Sequence, residues 1–279
     1  SFTLSDAAAE ALHLLESALP AAGKTALSTL EKDIAAKGKK HLDVVFPGLV
    51  RRFGRSAVRG GLRTLHGITI DFDCLRHCDL VAARLLACLG EADFSETTER
   101  LFANGDFEER RMILKALALL PIGETTAKLL ETAHRTNDQV IFEAGFTDST
   151  LALHALSREA LRRAVLKAAF IDIDPARLLE PEKVVDPELS RMLLDLMSER
   201  EAAGRSVWRG TLPFAAHAPS PGVEARILGD LWHGQDIRRE SAARAAAVLQ
   251  TPRILAEISA RRERELHPPI AAILAAIPA

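Results

Sequence analysis

Alanine and leucine recur at intervals of three and four residues along most of this chain, and this spacing is the feature that most limits its fold. Residues three and four apart share one face of an α-helix, because each residue advances about 100° around the axis. The alternation typical of strands is scarce, and GITIDF at residues 67–72 is the one extended candidate. The sequence therefore predicts an all-α protein of stacked antiparallel helices, arranged as a bundle or as an irregular α-solenoid.

The periodicity also sets the expected organisation of the chain. The irregular segment at residues 205–222 predicts a boundary between a main helical domain, 1–204, and a C-terminal helical subdomain, 205–279, although one continuous domain is the alternative. If the last dozen residues are helical, we expect them to pack on that subdomain. Gly204 stands where a helix end favours a left-handed residue. Helices are predicted at residues 5–19, 24–37, 41–53, 74–90, 94–104, 106–120, 123–135, 137–147, 157–171, 186–203, 220–232, 236–250 and 252–266.

Charge and apolar content exclude several classes of protein. The 36 basic residues face 38 acidic ones, so no basic excess exists to bind phosphate backbones, and nucleic acid is not an expected partner. The three cysteines are an odd number in a chain long enough to fold without disulfides, which favours a reducing cytoplasm. The longest apolar run, residues 268–279, is shorter than the ~20 residues that span a bilayer. We therefore expect a cytoplasmic protein with no transmembrane segment.

Several helices carry a charge where their apolar face should be. Arg200 falls four, seven and eleven residues after Leu196, Leu193 and Leu189. Burial of an unpaired charge costs several kcal/mol, so such a group needs a partner or a ligand. Other charges stand among apolar residues in the same way, or at the edge of the Arg200 stripe: Arg84, Glu143, Lys167 and Glu199.

Two interpretations of these charges stay open at the level of sequence. They form ion pairs that link helices in the core, with Arg84 and Lys167 also long enough to reach water. Alternatively, they line a shared pocket that binds a polar group or positions a reactive one. Trp208 and Trp232 are interpreted as packing anchors rather than stacking platforms.

The sequence contains no recognised catalytic motif and no complete metal-binding motif, so it gives little support for an enzyme. Cys74, His77 and Cys78 lie close together, but a structural zinc site needs four ligands at paired spacing, so buried thiols are the simpler interpretation. Asp172 and Asp174 are explained by helix capping rather than by magnesium. The sequence has no phosphate-binding P-loop, no dinucleotide fingerprint and no nucleophile elbow. We predict neither a metal nor a cofactor.

One region carries a family resemblance. Leucine and methionine at 189–193 are followed by an aspartate, a Glu-Arg pair, Ala-Ala-Gly-Arg, Trp-Arg and Pro-Phe, and this order resembles the signature of the EboA family. Ser198 and Glu201 replace the family's histidine and tryptophan on either side of Glu-Arg, so the resemblance is to a divergent member. The matching residues are Leu189, Met192, Leu193, Asp195, Glu199, Arg200, Ala202, Ala203, Gly204, Arg205, Trp208, Arg209, Pro213 and Phe214, with further blocks at 46–55, 82–86, 142–144 and 165–170.

The resemblance implies an accessory protein of a bacterial or algal secondary-metabolite gene cluster. The expected role is to bind or scaffold a small amphipathic metabolite precursor during its handling or trafficking, with other Ebo-cluster proteins as partners. One alternative is an enzyme in which Glu143 or Glu199 acts as acid or base on an anionic intermediate; another is a purely structural, oligomerising protein. The predicted ligand-binding or buried polar cluster comprises Arg84, Glu143, Lys167, Glu199, Arg200, Arg205 and Trp208.

Overall fold

The chain folds into two compact units in the computed structural model, which describes residues 1–278. The first unit comprises Ser1–Ser157, and the second begins at Arg158. Across the described residues the secondary structure is helical except for one pair of short strands. The prediction of an all-α fold is therefore confirmed.

The first unit holds ten helices and the two strands. Helix α1 packs on α5, α5 packs on α7, and α7 packs on α9, so α5 lies at the centre of this unit. The elements are α1 (Leu4–Ala18), α2 (Ala21–Lys37), α3 (Leu42–Val45), α4 (Leu49–Phe53), β1 (Leu62–Leu65), β2 (Ile68–Asp71), α5 (His77–Ala87), α6 (Glu91–Asn104), α7 (Phe107–Leu117), α8 (Glu124–Arg135), α9 (Gln139–Phe146) and α10 (Leu151–Ala155).

The predicted extended segment at 67–72 forms strand β2 and pairs with β1 as an antiparallel hairpin. Leu65 lies opposite Ile68, so His66 and Gly67 form a two-residue turn. Both turn residues have positive φ, 41° and 89°, which a tight hairpin turn of this kind requires. Strand β1 was not expected from the sequence, since its side chains are largely exposed and give no alternation.

The helix expected at 41–53 is divided by a proline. Helices α3 and α4 are separated by a 3₁₀ turn at Phe46–Gly48, and a second 3₁₀ turn at Lys39–His41 precedes α3. Pro47 has no N–H to donate within an α-helix, so the chain tightens there and continues in the same general course.

The second unit is entirely helical. Its elements are α11 (Arg158–Phe170), α12 (Pro181–Val184), α13 (Pro187–Ala202), α14 (Thr211–Ala216), α15 (Val223–Asp230), α16 (Asp236–Val248), α17 (Pro252–Arg262) and α18 (Pro268–Ala276). Alanines fill the contact between α14 and α16, where Ala215, Ala242 and Ala246 are fully buried. Small side chains allow the two helix backbones to approach closely, which explains the alanine-rich composition of this region.

The segment expected to separate two domains lies inside the second unit. Residues 205–222 include helix α14, which packs against both α13 and α16 and so ties the segment to its neighbours on each side. Helix α18 adds Ile270 and Leu274 to the same apolar core, as expected for the C-terminal residues. No helix within residues 1–278 combines the length and the apolar character that are needed to cross a bilayer.

Candidate functional site

The second unit contains an open cleft of about 510 Å³, which we call the Trp208 cleft. It lies between the end of α13, the connection at 203–210, the end of α15 and the first half of α16. Its apolar lining comes from Met197, Val207, Trp208 and Ile237. A volume of this size falls within the range of about 300–1,000 Å³ that is typical of sites for small molecules.

Gly204 turns the chain from α13 into the cleft. Its φ is 65°, the left-handed conformation expected from the sequence. The N–H of Gly204 donates to the carbonyl of Glu201 at 3.0 Å, and the N–H of Arg205 donates to the carbonyl of Arg200 at 2.8 Å. This pair of bonds is a Schellman motif, which closes the helix and reverses the chain. The reversal places Arg205 on the lining of the cleft.

Trp208 is a packing anchor that also forms part of the cleft wall. Its indole is 3% exposed, and its Nε1–H donates to the carbonyl of Ile173 at 2.5 Å. The ring lies 5.0 Å from that of Phe214. A Cβ at Gly210 would stand 2.6 Å from two atoms of the indole, so only glycine leaves room for this ring position. The sequence-based interpretation of Trp208 as an anchor agrees with this geometry.

Arg200, the charge on the leucine stripe, supports the connection. Its Nε–H donates to the carbonyl of Ser206 at 2.5 Å, and its guanidinium lies 5.6 Å from the ring centroid of Phe170. The stripe above it is buried at Leu189 and Leu193, but Arg200 is in the last turn of α13 and is half-buried. The charge is therefore paired with a carbonyl and an aromatic face at the end of the helix, and it is not enclosed in the core.

A network of four charged side chains includes one wall of the cleft: Glu201, Asp230 and Arg238 line the cleft, and Arg226 lies behind them. Arg226 donates to Glu201 at 3.0 Å and to Asp230 at 2.8 Å, and Arg238 donates to Asp230 at 2.6 Å. Hydrogen bonding from Arg226 holds the pKa of the Glu201 carboxyl below its ordinary value. Two carboxylates and two guanidiniums balance one another, so this wall is close to neutral.

The remaining arginines of the cleft have no carboxylate partner. Arg205 and Arg209 line the cleft and are exposed, and neither guanidinium has a salt bridge to an acidic group of residues 1–278. Arg238 also lines the cleft, and its buried Nε has no hydrogen-bond acceptor in that part of the chain. Since the network wall is neutral, Arg205 and Arg209 give the cleft a positive charge that suits an anionic ligand.

Three of the seven sequence-predicted residues thus meet at one place. Arg205 and Trp208 line the cleft, and Arg200 holds the carbonyl of Ser206, which is also a lining residue. Glu199 is exposed on α13. Lys167 is half-buried on α11, and burial lowers the pKa of its ammonium group.

The other two predicted residues belong to the first unit. The guanidinium of Arg84 lies 2.6 Å from the carboxylate of Glu31 and donates to the carbonyl of Ala8 at 2.8 Å. These contacts join α5 to α2 and α1, so Arg84 follows the ion-pair interpretation. Glu143 accepts a hydrogen bond from Gln139 at 2.8 Å, one turn earlier on α9.

Sequence reasoning missed the cleft residues that come from α15 and α16, which include Asp230, Ile237 and Arg238, as well as their neighbour Arg226. The one local signal is the spacing of Arg226 and Asp230, which fits an ion pair across one helical turn. Nothing in the sequence joins that pair to Glu201, because the contact depends on how α13 packs near α15.

Fold and site together define an all-α protein with an apolar, cationic cleft in its second unit. The model of a known family, described as metabolite traffic protein EboA, matches residues 81–211. The match covers 131 of the 279 residues, and it supports membership of the EboA family and a general role in metabolite handling. The matched range includes the cleft residues from Met197 to Arg209 but ends before α15 and α16. No curated protein and no solved structure gives a significant match.

Proposed function

We propose that the chain is a non-catalytic binding protein for a small amphipathic anion, held in the Trp208 cleft during metabolite traffic. The observation that carries this proposal is the pairing of an apolar lining with Arg205 and Arg209, which have no carboxylate partner among residues 1–278. The apolar body of the ligand would lie against Met197, Val207 and Ile237. Its anionic group would meet the two arginines at the edge.

The apolar lining and the two arginines are expected to contribute to ligand binding in different ways. Ile237 is 48% exposed, so a ligand that covers it gains hydrophobic energy at about 25 cal/mol per Å² of apolar area removed from water. Arg205 and Arg209 are exposed, and charge pairs in such positions contribute about 0.5–1 kcal/mol each. Loss of both arginines should therefore weaken the binding of an anion by about five- to thirtyfold. The affinity for a neutral ligand of the same shape should stay nearly unchanged.

Two fluorescent probes that differ by one charged group test this directly. Anilinonaphthalene sulfonate is an amphipathic anion, and N-phenylnaphthylamine is its counterpart without the sulfonate. We expect both to bind the wild-type protein. The double variant Arg205→Gln/Arg209→Gln should lose affinity for the sulfonate by the factor given above while its affinity for the neutral probe changes less than twofold.

A matched control removes the same charge elsewhere in the second unit. Arg163 and Arg253 are exposed and lie outside the cleft lining, so Arg163→Gln/Arg253→Gln should bind the sulfonate like the wild type. Equal losses in both double variants would show that only net charge matters and would refute the site. Turnover of a cluster intermediate by the purified protein alone would refute the non-catalytic role. Other Ebo-cluster proteins as partners stay a prediction.

A further inference from the structure

A basic surface in the first unit is formed by residues that do not line the Trp208 cleft. The chain follows a nearly continuous helical course from Lys39 to Phe53, through the two 3₁₀ turns and helices α3 and α4. Its buried side repeats at helical spacing and consists of Leu42, Phe46, Leu49 and Phe53, each no more than 7% exposed. This side anchors the segment to the unit.

The opposite side of the same segment is exposed at matching intervals. Lys40, Val44, Pro47 and Arg51 follow one another at steps of four, three and four residues, and Arg52 lies beside them. Val44 is 71% exposed, so it offers an apolar contact between the charged side chains. We call this exposed side the basic stripe.

The basic stripe lies in a strongly basic stretch of the sequence. The nearly balanced charge of the whole chain conceals this property. Residues 37–63 contain eight lysines and arginines and one acidic residue, Asp43. From totals of 36 and 38, the rest of the chain then carries 28 basic residues and 37 acidic ones. The chain is therefore strongly polarised in sequence, with its positive charge in one short region.

Much of this positive charge is not neutralised by neighbours. Arg100 pairs with Asp43 at 3.4 Å, so the one acidic group of the region is already occupied. Arg55 pairs with Glu108 at 2.9 Å, Lys37 pairs with Asp33 at 3.8 Å, and Lys39 pairs with Asp93. No salt bridge within residues 1–278 involves the other exposed cations of the region: Lys40, Arg51, Arg52, Arg59 and Arg63.

We infer that the basic stripe docks on an anionic phospholipid membrane. Clustered lysines and arginines are attracted to acidic headgroups, and exposed aliphatic side chains add apolar contact at the level of the acyl chains. Val44 lies on the stripe, and Leu62, 61% exposed, follows it shortly along the chain. Surfaces that bind single-stranded nucleic acid use aromatic stacking platforms, and the exposed apolar residues here are aliphatic.

Vesicle co-sedimentation tests this inference with the full chain. We expect binding to vesicles of equal parts phosphatidylcholine and phosphatidylglycerol, and none to phosphatidylcholine alone. Each basic residue near an anionic surface is worth about a fivefold change in affinity, so Arg51→Gln/Arg52→Gln should weaken binding by about 25-fold. Val44→Ser leaves the charge unchanged and should weaken binding by about fivefold, because the apolar contact is lost.

The control is again Arg163→Gln/Arg253→Gln, which removes two exposed arginines from the second unit and should bind anionic vesicles like the wild type. No binding to anionic vesicles would overturn the inference, and so would equal losses in the two double variants. Tighter binding to duplex DNA than to anionic vesicles at the same ionic strength would assign the surface to nucleic acid instead. The inference does not depend on the Trp208 cleft, whose probe binding Arg51→Gln/Arg52→Gln should leave unchanged.

Discussion

Replacement of Gly210 by alanine should displace the Trp208 indole and so disturb the cleft without touching any charge. A Cβ at position 210 would lie 2.6 Å from Cη2 and Cζ2 of the indole. Unbonded carbons pack at about 3.5–4.0 Å, so the ring must move by roughly 1 Å. That movement would break the hydrogen bond from the indole Nε1–H to the carbonyl of Ile173.

The cost follows from two contributions. An added methyl group in a packed site destabilises by about 1–3 kcal/mol, and a buried carbonyl left without a donor adds about 1–3 kcal/mol. Alanine has fewer accessible backbone conformations than glycine, so the unfolded chain of the variant has less conformational entropy. This effect offsets about 0.4–1 kcal/mol of the loss. We therefore expect Gly210→Ala to lower the free energy of unfolding of the second unit by about 1–6 kcal/mol.

Tryptophan fluorescence in the Trp232→Phe background isolates the effect, since the chain has only two tryptophans. Denaturant unfolding should show the loss of stability, and the emission of Trp208 should shift to the red. Gly229→Ala is the matched control, because a Cβ there meets nothing within 4 Å and the residue lies in α15. It should raise stability by about 0.5–1 kcal/mol. Unchanged stability and emission in Gly210→Ala would refute the position assigned to the indole.

Two further predictions concern charges of the second unit. Burial alone would raise the pKa of Glu265, but hydrogen bonds from Arg239, from the backbone of His267 and from Arg261 outweigh it and lower the pKa to about 2 from 4.5. The folded state therefore binds a proton at Glu265 less readily than the unfolded state does. The ionised carboxylate stabilises the fold by about 3 kcal/mol above pH ~4.5, and this contribution is lost as pH falls towards 2. Glu265→Gln should flatten the fall in unfolding free energy measured across this range, and an unchanged slope would contradict the assignment. Arg200→Gln removes the donor to the Ser206 carbonyl and should speed amide hydrogen exchange at 203–210 by about fivefold, with no change in α16; equal exchange in wild type and variant would exclude that role for Arg200.

Most of the helices could be predicted because their apolar faces repeat over three or more turns. Helices α10, α12 and α14 are too short for this signal, and α14 also contains Pro213. Its existence depends on tertiary packing against α13 and α16 rather than on local preference. The same packing explains why the segment at 205–222, expected to be a boundary, is part of a core.

Part of the cleft could be predicted from the sequence. Arg205 and Trp208 were identified through the family resemblance, and Arg200 through its place on a leucine stripe. Periodicity shows that a charge is out of place but does not show its partner, so it could not separate the loop contact of Arg200 from the core ion pair of Arg84. The contribution of Asp230 and Arg238 depends on contacts between distant helices and leaves no local pattern.

The most direct test of the proposed ligand site is the methyl NMR spectrum of methionine-labelled protein during titration with anilinonaphthalene sulfonate. The chain has three methionines, of which Met197 lines the cleft, Met112 is fully buried in the first unit and Met192 lies earlier on α13. We predict a saturable shift of the Met197 methyl resonance, with Met112 unchanged. A saturable shift at Met112 or Met192 with none at Met197, or no shift at all, would contradict binding in the Trp208 cleft.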